Sequence, residues 1–138
     1  MRPSRDLVLM EIAHVIAKRG TCLRANVGAV VAKKGRIVST GYAGAPSNLP
    51  HCEDADCNVN LPCTRTVHAE AGAISFAARE GLAVEGCTLY CTHAPCLECA
   101  KLIINAGIVR VVYNIAYRKT DGLELLQSAG VIIDECSS

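Results

Sequence analysis

The chain has 138 residues, of which 51% are hydrophobic and 20% are charged, and its formal net charge is +1. This length and apolar content allow one domain with a hydrophobic core and exclude an intrinsically disordered chain. With so little net charge and only 4% aromatic residues, a nucleic-acid partner is disfavoured and a small-molecule ligand is expected. Because no segment approaches the roughly 18 apolar residues of a membrane-spanning helix, we expect no membrane association.

The first predicted element is a helix over residues 4–19, with Gly20 as its stop signal. Its apolar residues lie mostly on one helical face: Leu7, Met10, Ile12, Val15 and Ile16. The segment VGAVVAKKGRIVSTGY then predicts a β-hairpin that turns at Lys34 and Gly35.

Residues 43–65 have no periodicity, and such a long loop in a compact domain is usually functional or held by a bound group. Helices are then predicted in TVHAEAGAISFAAREG, APCLECAKLIINAG and DGLELLQSAG, alternating with strands in CTLYCTH, VRVVYNIA and VIIDE. The order α-β-β-loop-α-β-α-β-α-β predicts one α/β domain over residues 1–138. Its central sheet has about five strands, with helices on both faces.

Nine cysteines are many for a chain of this size. The N-terminal sequence MRPSRDLVLM does not have the pattern of a secretory signal peptide, so we expect a cytoplasmic protein with reduced thiols. Clustered cysteines in such a protein indicate metal ligands rather than disulfides.

The segment PCLEC supplies two of these cysteines at the start of a predicted helix. Pro95 suits the first turn of a helix because it lacks the amide proton that would go unpaired there. Cys96 and Cys99 are three residues apart, so both sulfurs lie on the same side of that turn. The helix dipole favours their thiolate forms, which suits the pair to binding a metal ion, although the same spacing also occurs in redox proteins and zinc ribbons.

The segment VHAE adds His68 as a third ligand and Glu70 as a carboxylate in the same turn of another predicted helix. Three protein ligands leave one tetrahedral position open for water, which is typical of a catalytic zinc. Because two thiolates reduce the metal's effect on that water, a nearby base is needed, and Glu70 is the candidate catalytic residue. The arrangement H-x-E…P-C-x-x-C is a known signature of zinc deaminases.

Two other interpretations of these residues remain open. In the first, Glu70 is a helix-start carboxylate and the cysteines are buried packing residues. In the second, all metal sites of the chain are structural and the protein is a zinc-stapled binding module.

With these residues identified, the chain resembles the deoxycytidylate (dCMP) deaminase family of the zinc-dependent cytidine deaminase superfamily. The resemblance runs nearly end to end, through residues 21–31, 40–52, 63–74, 92–103 and 111–131. It implies a three-layer α/β/α fold and hydrolytic conversion of dCMP to dUMP. It also implies a homo-oligomer, a hexamer or a dimer, with dCTP and dTTP as possible allosteric effectors.

One position departs from the family pattern. Where the family usually reads Gly-Tyr-Asn-Gly, this chain has alanine at position 43. An asparagine there can hydrogen-bond a nucleotide and an alanine cannot, which leaves dCTP or a 5-substituted dCMP as alternative substrates. Free cytidine, a tRNA adenosine and a pterin or guanine-type base are further alternatives, although the low net charge argues against tRNA.

A nucleotide monophosphate needs hydrogen-bond donors and positive charge. The candidate substrate-binding residues are Arg24, Asn26, Tyr117 and Arg118. The two arginines are the candidate phosphate ligands, and Asn26 is a candidate contact to the sugar. His93, which lies shortly before the two-cysteine segment, is a candidate for lining the site.

A second cluster of possible ligands lies in the long loop, which contains His51, Cys52, Cys57 and Cys63. These four residues are sufficient for a structural zinc that would hold the loop. The resemblance implies that the site also takes a cysteine before the first strand, which matches Cys22. We therefore predict Cys22, Cys52, Cys57 and Cys63 as ligands of a second, structural zinc, with His51 as a substitute.

Overall fold

The computed structural model describes residues 1–22, 26–51, 65–117 and 119–137, and within them the chain forms four helices and five strands. The helices are α1 (Arg5–Ala17), α2 (Ala69–Arg79), α3 (Leu97–Asn105) and α4 (Asp121–Ser128). The strands are β1 (Gly28–Lys33), β2 (Arg36–Tyr42), β3 (Thr88–His93), β4 (Arg110–Ile115) and β5 (Ile132–Glu135). The longest of these helices has 13 residues, and none of them has the length and hydropathy of a bilayer-spanning segment.

The five strands form one mixed sheet in the order β2-β1-β3-β4-β5. The hairpin strands pair antiparallel, and β1 also pairs antiparallel with β3, whereas β3, β4 and β5 run parallel. At the hairpin turn, Lys34 and Gly35 both have positive φ angles, of 52° and 78°, as the tightest hairpin turns require. The predicted β-hairpin and its turn are therefore confirmed.

Helices cover both faces of the sheet, which confirms the predicted three-layer α/β/α class. On one face, α1 packs Leu9, Met10 and Ala13 against side chains of β1, β3 and β4. On the other face, α2, α3 and α4 enclose the larger hydrophobic cluster, which includes Ala73, Ile103 and Leu126. This second face is the one that carries the candidate site, because α2 and α3 begin there.

The buried side of α1 differs from the predicted one. Its fully buried residues are Leu9, Met10, Ala13 and Ala17, whereas Val15 is 58% exposed. The reason is a close approach between the helix and the sheet, since a Cβ atom at Gly28 would collide with the Ala13 carbonyl oxygen. Small residues allow that approach, and an apolar pattern that scores only large side chains does not identify them.

Candidate active site

The candidate metal ligands lie at the N-termini of α2 and α3. His68 is the N-cap residue of α2, and Cys96 is the N-cap residue of α3. Cys99 lies three residues further on, in the first turn of α3. Both helices therefore direct the positive ends of their dipoles at this cluster, which favours thiolates and any other anionic group held there.

The expected position of Pro95 in the first helical turn is wrong. The helix begins at Leu97, so Pro95 lies before the N-cap residue and its carbonyl group packs against α4 at Gly122. Cys96 has extended backbone angles, with φ of −74° and ψ of 173°, as N-cap residues do. The two sulfurs are brought together by this cap geometry rather than by two positions within the helix.

The three candidate ligand atoms are mutually close. The Nδ1 atom of His68 lies 3.4 Å from the Sγ atom of Cys96 and 3.3 Å from the Sγ atom of Cys99. A tetrahedral zinc with ordinary Zn–S and Zn–N bonds holds sulfur and nitrogen ligands about 3.6 Å apart. Among the described residues, this is the cluster of histidine, cysteine or carboxylate groups able to hold a metal ion, and it fits one zinc.

The charges around Cys99 support the same assignment. Burial, followed by the neighbouring Glu70 and Cys96, raises the pKa of the Cys99 thiol well above its ordinary value. Burial and these neighbouring side chains thus oppose the helix dipoles and disfavour a thiolate, and a divalent cation held between the ligands would supply the compensating charge. We call His68, Cys96 and Cys99 the zinc claw.

Glu70 lies beside the zinc claw, in the first turn of α2, and is only 4% exposed. Burial raises the pKa of its carboxyl group, while its own backbone amide, His68 and a hydrogen bond from Cys99 act in the opposite direction. A carboxyl group with a raised pKa can both accept and return a proton near neutral pH, as general acid–base catalysis requires.

A pocket of about 350 Å³ opens beside His68 of the claw, a size suited to a small-molecule ligand. Its described lining consists of Cys22, Val27, Ala43, Thr66, His68, Ala69, Glu70, His93, Ala94 and Tyr117. The lining residues come from the segments before β1 and after β2, from the start of α2, and from the ends of β3 and β4. No lysine or arginine belongs to this described lining.

The structure brings only some of the sequence-derived candidates to the pocket. Tyr117 lines it, and burial, followed by the nearby Glu70 and the claw cysteines, raises the pKa of its phenol group. Asn26 is exposed and is not part of the lining. Arg24 and Arg118 lie outside the described residues.

The residues of the predicted second zinc site have different positions. Cys22 is half-buried and lines the pocket, whereas Cys52, Cys57 and Cys63 lie outside the described residues. His51 is exposed, in a separate depression beside β2 and α2.

Several lining residues carry no local sequence signal. Val27, Thr66 and Ala94 are ordinary residues at the ends of elements, and only their convergence in three dimensions makes them part of a site. Ala43 attracts attention in the sequence because of the family pattern, and the structure shows that it is buried and faces the pocket.

This fold, the claw, the buried glutamate and the pocket together define a zinc-binding deaminase domain. The sequence model described as the cytidine and deoxycytidylate deaminase zinc-binding region matches residues 3–115, which is most of the chain. The chain belongs to the cytidine and deoxycytidylate deaminase family.

Individual relatives agree with this assignment. The chain is 37% identical to ComE operon protein 2 of Bacillus subtilis over 136 residues, covering 97% of this chain and 72% of that protein. It is 36% identical to deoxycytidylate deaminase of Saccharomyces cerevisiae over 146 residues, covering 99% of this chain but only 46% of the yeast protein. The crystal structure of dCMP deaminase from cyanophage S-TIM5 in complex with dCMP and dUMP superposes with a TM-score of 0.89 at 33% identity, covering 99% of both chains.

Proposed function

We propose that this protein catalyses the zinc-dependent hydrolytic deamination of dCMP to dUMP and ammonia. The observation that carries the proposal is a buried carboxyl group, Glu70, beside the zinc claw at a nucleotide-sized pocket. Similarity along the full length to a dCMP deaminase solved with dCMP and dUMP supports the choice of substrate. The product dUMP is a precursor for thymidylate synthesis.

In the proposed mechanism, His68, Cys96 and Cys99 hold the metal and Glu70 moves the protons. Zinc held by these ligands acts as a Lewis acid that makes water a stronger nucleophile near neutral pH. Glu70 accepts a proton from the attacking water and delivers it to the pyrimidine ring nitrogen next to the amino-bearing carbon. After the water oxygen has bonded to that carbon, Glu70 takes the remaining proton of the new hydroxyl group and transfers it to the amino group, so that the C–N bond breaks, ammonia leaves and a carbonyl group remains.

The fold contributes to this reaction by excluding solvent and fixing Glu70. Its carboxyl group is buried in the first turn of α2, where the free backbone amides limit its reorientation. We propose that Tyr117 covers the pyrimidine ring. Its side chain belongs to the pocket lining, and the claw cysteines are among the groups that raise the pKa of its phenol.

The 5′-phosphate requires positive charge that the described lining does not supply. We propose Arg24 and Arg118 for this role, since both flank lining residues in the sequence: Arg24 lies between Cys22 and Val27, and Arg118 follows Tyr117. Asn26 remains a proposed sugar contact, although its exposed position outside the lining does not favour it.

Ala43 supports a second candidate substrate. Ala43 is 5% exposed and belongs to the pocket lining, so this position offers neither the bulk nor the hydrogen-bonding group of an asparagine. Such a site is suited to a modified nucleotide, and the alternative function is deamination of dCTP or a 5-substituted dCMP.

We further propose a second, structural zinc held by Cys22, Cys52, Cys57 and Cys63, with His51 as a substitute ligand. The support is the ligand set itself and the position of Cys22 at the mouth of the described pocket. Metal analysis of the full chain tests this proposal. We expect two zinc ions per protein chain in the wild type and one in Cys57→Ala. A ratio of one in the wild type would contradict it.

The remaining proposals concern the context in which the enzyme works. We propose that the chain acts as a single domain in the cytoplasm, where thiols such as those of Cys87 and Cys91 stay reduced. We also propose a homo-oligomer, a hexamer or a dimer, with dCTP and dTTP as effectors. Light scattering with and without these nucleotides measures the oligomer directly.

An ammonia-release assay tests the proposed function. The zinc-loaded protein is incubated with dCMP, dCTP, 5-methyl-dCMP, CMP and cytidine, each with and without added effector. We expect the highest kcat/KM for dCMP, whereas a preference for dCTP or 5-methyl-dCMP would favour the alternative. Release of no ammonia from any cytosine nucleotide would contradict the proposed function and favour a binding module.

A further inference from the structure

The end of β3 places Thr92 and His93 next to each other between the sheet and the pocket. The Thr92 side chain is only 1% exposed, whereas His93 is half-buried and lines the pocket. The Thr92 hydroxyl oxygen lies 3.1 Å from the Gly28 backbone nitrogen and 3.0 Å from the Nδ1 atom of His93. The two residues are therefore linked in a fixed network anchored on β1.

The directions of these hydrogen bonds determine which ring nitrogen of His93 carries the proton. The Gly28 amide can only donate, so the Thr92 oxygen accepts that bond. A buried hydroxyl group also has to donate its own proton, and the described acceptor for it is Nδ1 of His93. This arrangement favours the tautomer in which Nδ1 is unprotonated and the proton is on Nε2.

The Nε2–H group is left available to the pocket. Within the described part of the chain, Nε2 has no hydrogen-bond partner, and the ring belongs to the pocket wall. Burial, followed by the charge of His14, lowers the pKa of His93, so the ring is a neutral donor near pH 7. The site thus has a donor of fixed direction in addition to the proposed zinc ligands and Glu70.

The position of His93 along the pocket indicates which part of a nucleotide it meets. The His93 and Tyr117 rings form one wall, with their centroids 6.3 Å apart. His68 and Glu70 enter the pocket from the start of α2, whereas His93 and Tyr117 enter it from the ends of β3 and β4. The His93–Tyr117 wall is therefore a different part of the lining from the part that carries Glu70.

We propose that His93 is a specificity-determining residue whose Nε2–H donates a hydrogen bond to the 5′-phosphate of the bound nucleotide. The inference rests on the proposed function, because a pyrimidine whose amino-bearing carbon faces Glu70 has its phosphate directed away from the claw. The described lining contains no lysine or arginine, so a neutral donor in this wall contributes measurably to phosphate recognition beside the proposed Arg24 and Arg118. Thr92 is a positioning residue that acts through His93.

The test compares binding of dUMP and deoxyuridine, which differ only by the phosphate, to the zinc-loaded full chain by isothermal titration calorimetry. We expect His93→Ala to weaken dUMP binding about tenfold, the loss typical of one hydrogen bond to a charged group, with little effect on deoxyuridine. His93→Gln, whose amide can still donate, should recover part of the loss.

Two further variants address the positioning role of Thr92. Thr92→Ser keeps the hydroxyl group and should bind dUMP like the wild type. Thr92→Val removes the proton donor to Nδ1 and should weaken dUMP binding. Nitrogen-15 NMR of the ring nitrogens, which is tractable because the chain has four histidines, should show His93 protonated at Nε2 in the wild type and a mixture of tautomers in Thr92→Val.

The outcomes separate the inference from the proposed function. The assignment of His93 to the phosphate is wrong if the wild type binds dUMP and His93→Ala weakens the binding of dUMP and of deoxyuridine equally. It is also wrong if His93→Ala weakens the binding of neither. A proton on Nδ1 in the wild type would also overturn it. If the wild type neither binds dUMP nor releases ammonia from dCMP, the proposed function fails and this inference fails with it.

Discussion

Glu70 has the environment that a proton-transferring carboxyl group needs. It is buried beside the proposed zinc ligands, and the burial keeps its pKa above the usual value for glutamate. In the same pocket, Tyr117 and His93 supply polar groups that are only partly exposed to solvent. Proton transfer and polar contacts to a ligand are thus assigned to a few side chains, and single substitutions should separate their roles.

We expect Glu70→Gln to lower kcat for dCMP by about 10²- to 10⁴-fold, the usual contribution of a positioned acid–base group. The glutamine is isosteric, so zinc content and melting temperature should stay near the wild-type values. Glu80→Gln, an exposed position at the other end of α2, is the matched control and should be fully active. Wild-type kcat in Glu70→Gln would show that this residue does not transfer the protons.

The described cysteines should differ sharply in their effect on metal binding. Cys99→Ala removes a claw ligand, so zinc content should fall to near zero at that site and the melting temperature should drop. Cys87→Ala is the control, because Cys87 lies in the hydrophobic cluster away from the claw. It should keep its zinc and lose only packing energy. Equal zinc loss in both variants, measured by elemental analysis, would argue against the proposed ligand set.

Helix N-termini, rather than any single side chain, create the geometry of the claw. The caps of α2 and α3 meet because each helix packs on the same face of the sheet, and α4 packs behind α3. Gly122 of α4 lies directly against the backbone of Pro95 and Cys96, where an added Cβ would come within 3.0 Å of the Cys96 carbonyl oxygen. Packing between α4 and this segment therefore fixes the position of one metal ligand.

We expect Gly122→Ala to lower zinc affinity and the melting temperature together, because the new methyl group displaces the segment that carries Cys96. Gly72→Ala is a matched control in α2, where an added Cβ meets nothing closer than 3.9 Å. That substitution should raise the free energy of unfolding by up to about 1 kcal/mol, since glycine is a poor helix former. A chelator titration followed by thermal denaturation measures both effects. Unchanged zinc affinity in Gly122→Ala would show that α4 does not position the claw.

The secondary structure was largely predictable from the sequence because most elements have clear boundaries. Gly35 marks the hairpin turn, and Gly81, Gly107 and Gly130 each follow a helix with a positive φ angle. The inward face of α1 was not predictable, since Ala13 and Ala17 pack closely against Gly28 and the larger Val15 faces outward. The contact between α1 and β1 depends on how closely their two backbones approach at Gly28, and a pattern of hydrophobic residues carries no information on that distance.

The two faces of the sheet differ in what packs on them. The face covered by α2, α3 and α4 carries the claw and the pocket, whereas the other face packs against α1, with a polar network at its edge. Arg110 donates to Asp6 at 2.7 Å and to Asp134 at 2.8 Å, and the Tyr90 hydroxyl group donates to Asp6 at 2.7 Å. Burial, followed by the neighbouring Asp6, raises the pKa of Tyr90 to about 12, so this donor keeps its proton. The network links α1 to β3, β4 and β5.

This network should make the stability of the protein depend on pH in the acid range. The hydrogen bond from Arg110 lowers the pKa of Asp6 below its ordinary value of 3.8 in the folded chain. The pair therefore adds stability above that pH, and the contribution is lost as the pH falls through the lowered folded-state pKa. We expect Asp6→Asn to reduce the free energy of unfolding by about 1 kcal/mol at pH 7, as is usual for partly exposed pairs.

Urea denaturation between pH 7 and pH 3 checks this expectation. The difference between the wild type and Asp6→Asn should shrink as the pH falls below about 4, because Asp6 of the unfolded wild type then takes up its proton before Asp6 of the folded chain does. Asp134→Asn is the control, because its carboxylate is more exposed and makes a single bond to Arg110. A difference that stays constant with pH would show that Asp6 acts through packing rather than charge.

The chemistry of the candidate site was accessible from the sequence, because ligands and base lie within short segments at helix starts. Local spacing is sufficient to predict that Cys96 and Cys99 converge, and that Glu70 lies in the same turn as His68. Tyr117 and His93 were also candidates from the sequence, but the rest of the lining was decided by tertiary structure. Val27, Thr66 and Ala94 lie next to β1, α2 and β3, and only the packing of these elements brings them to a common cavity.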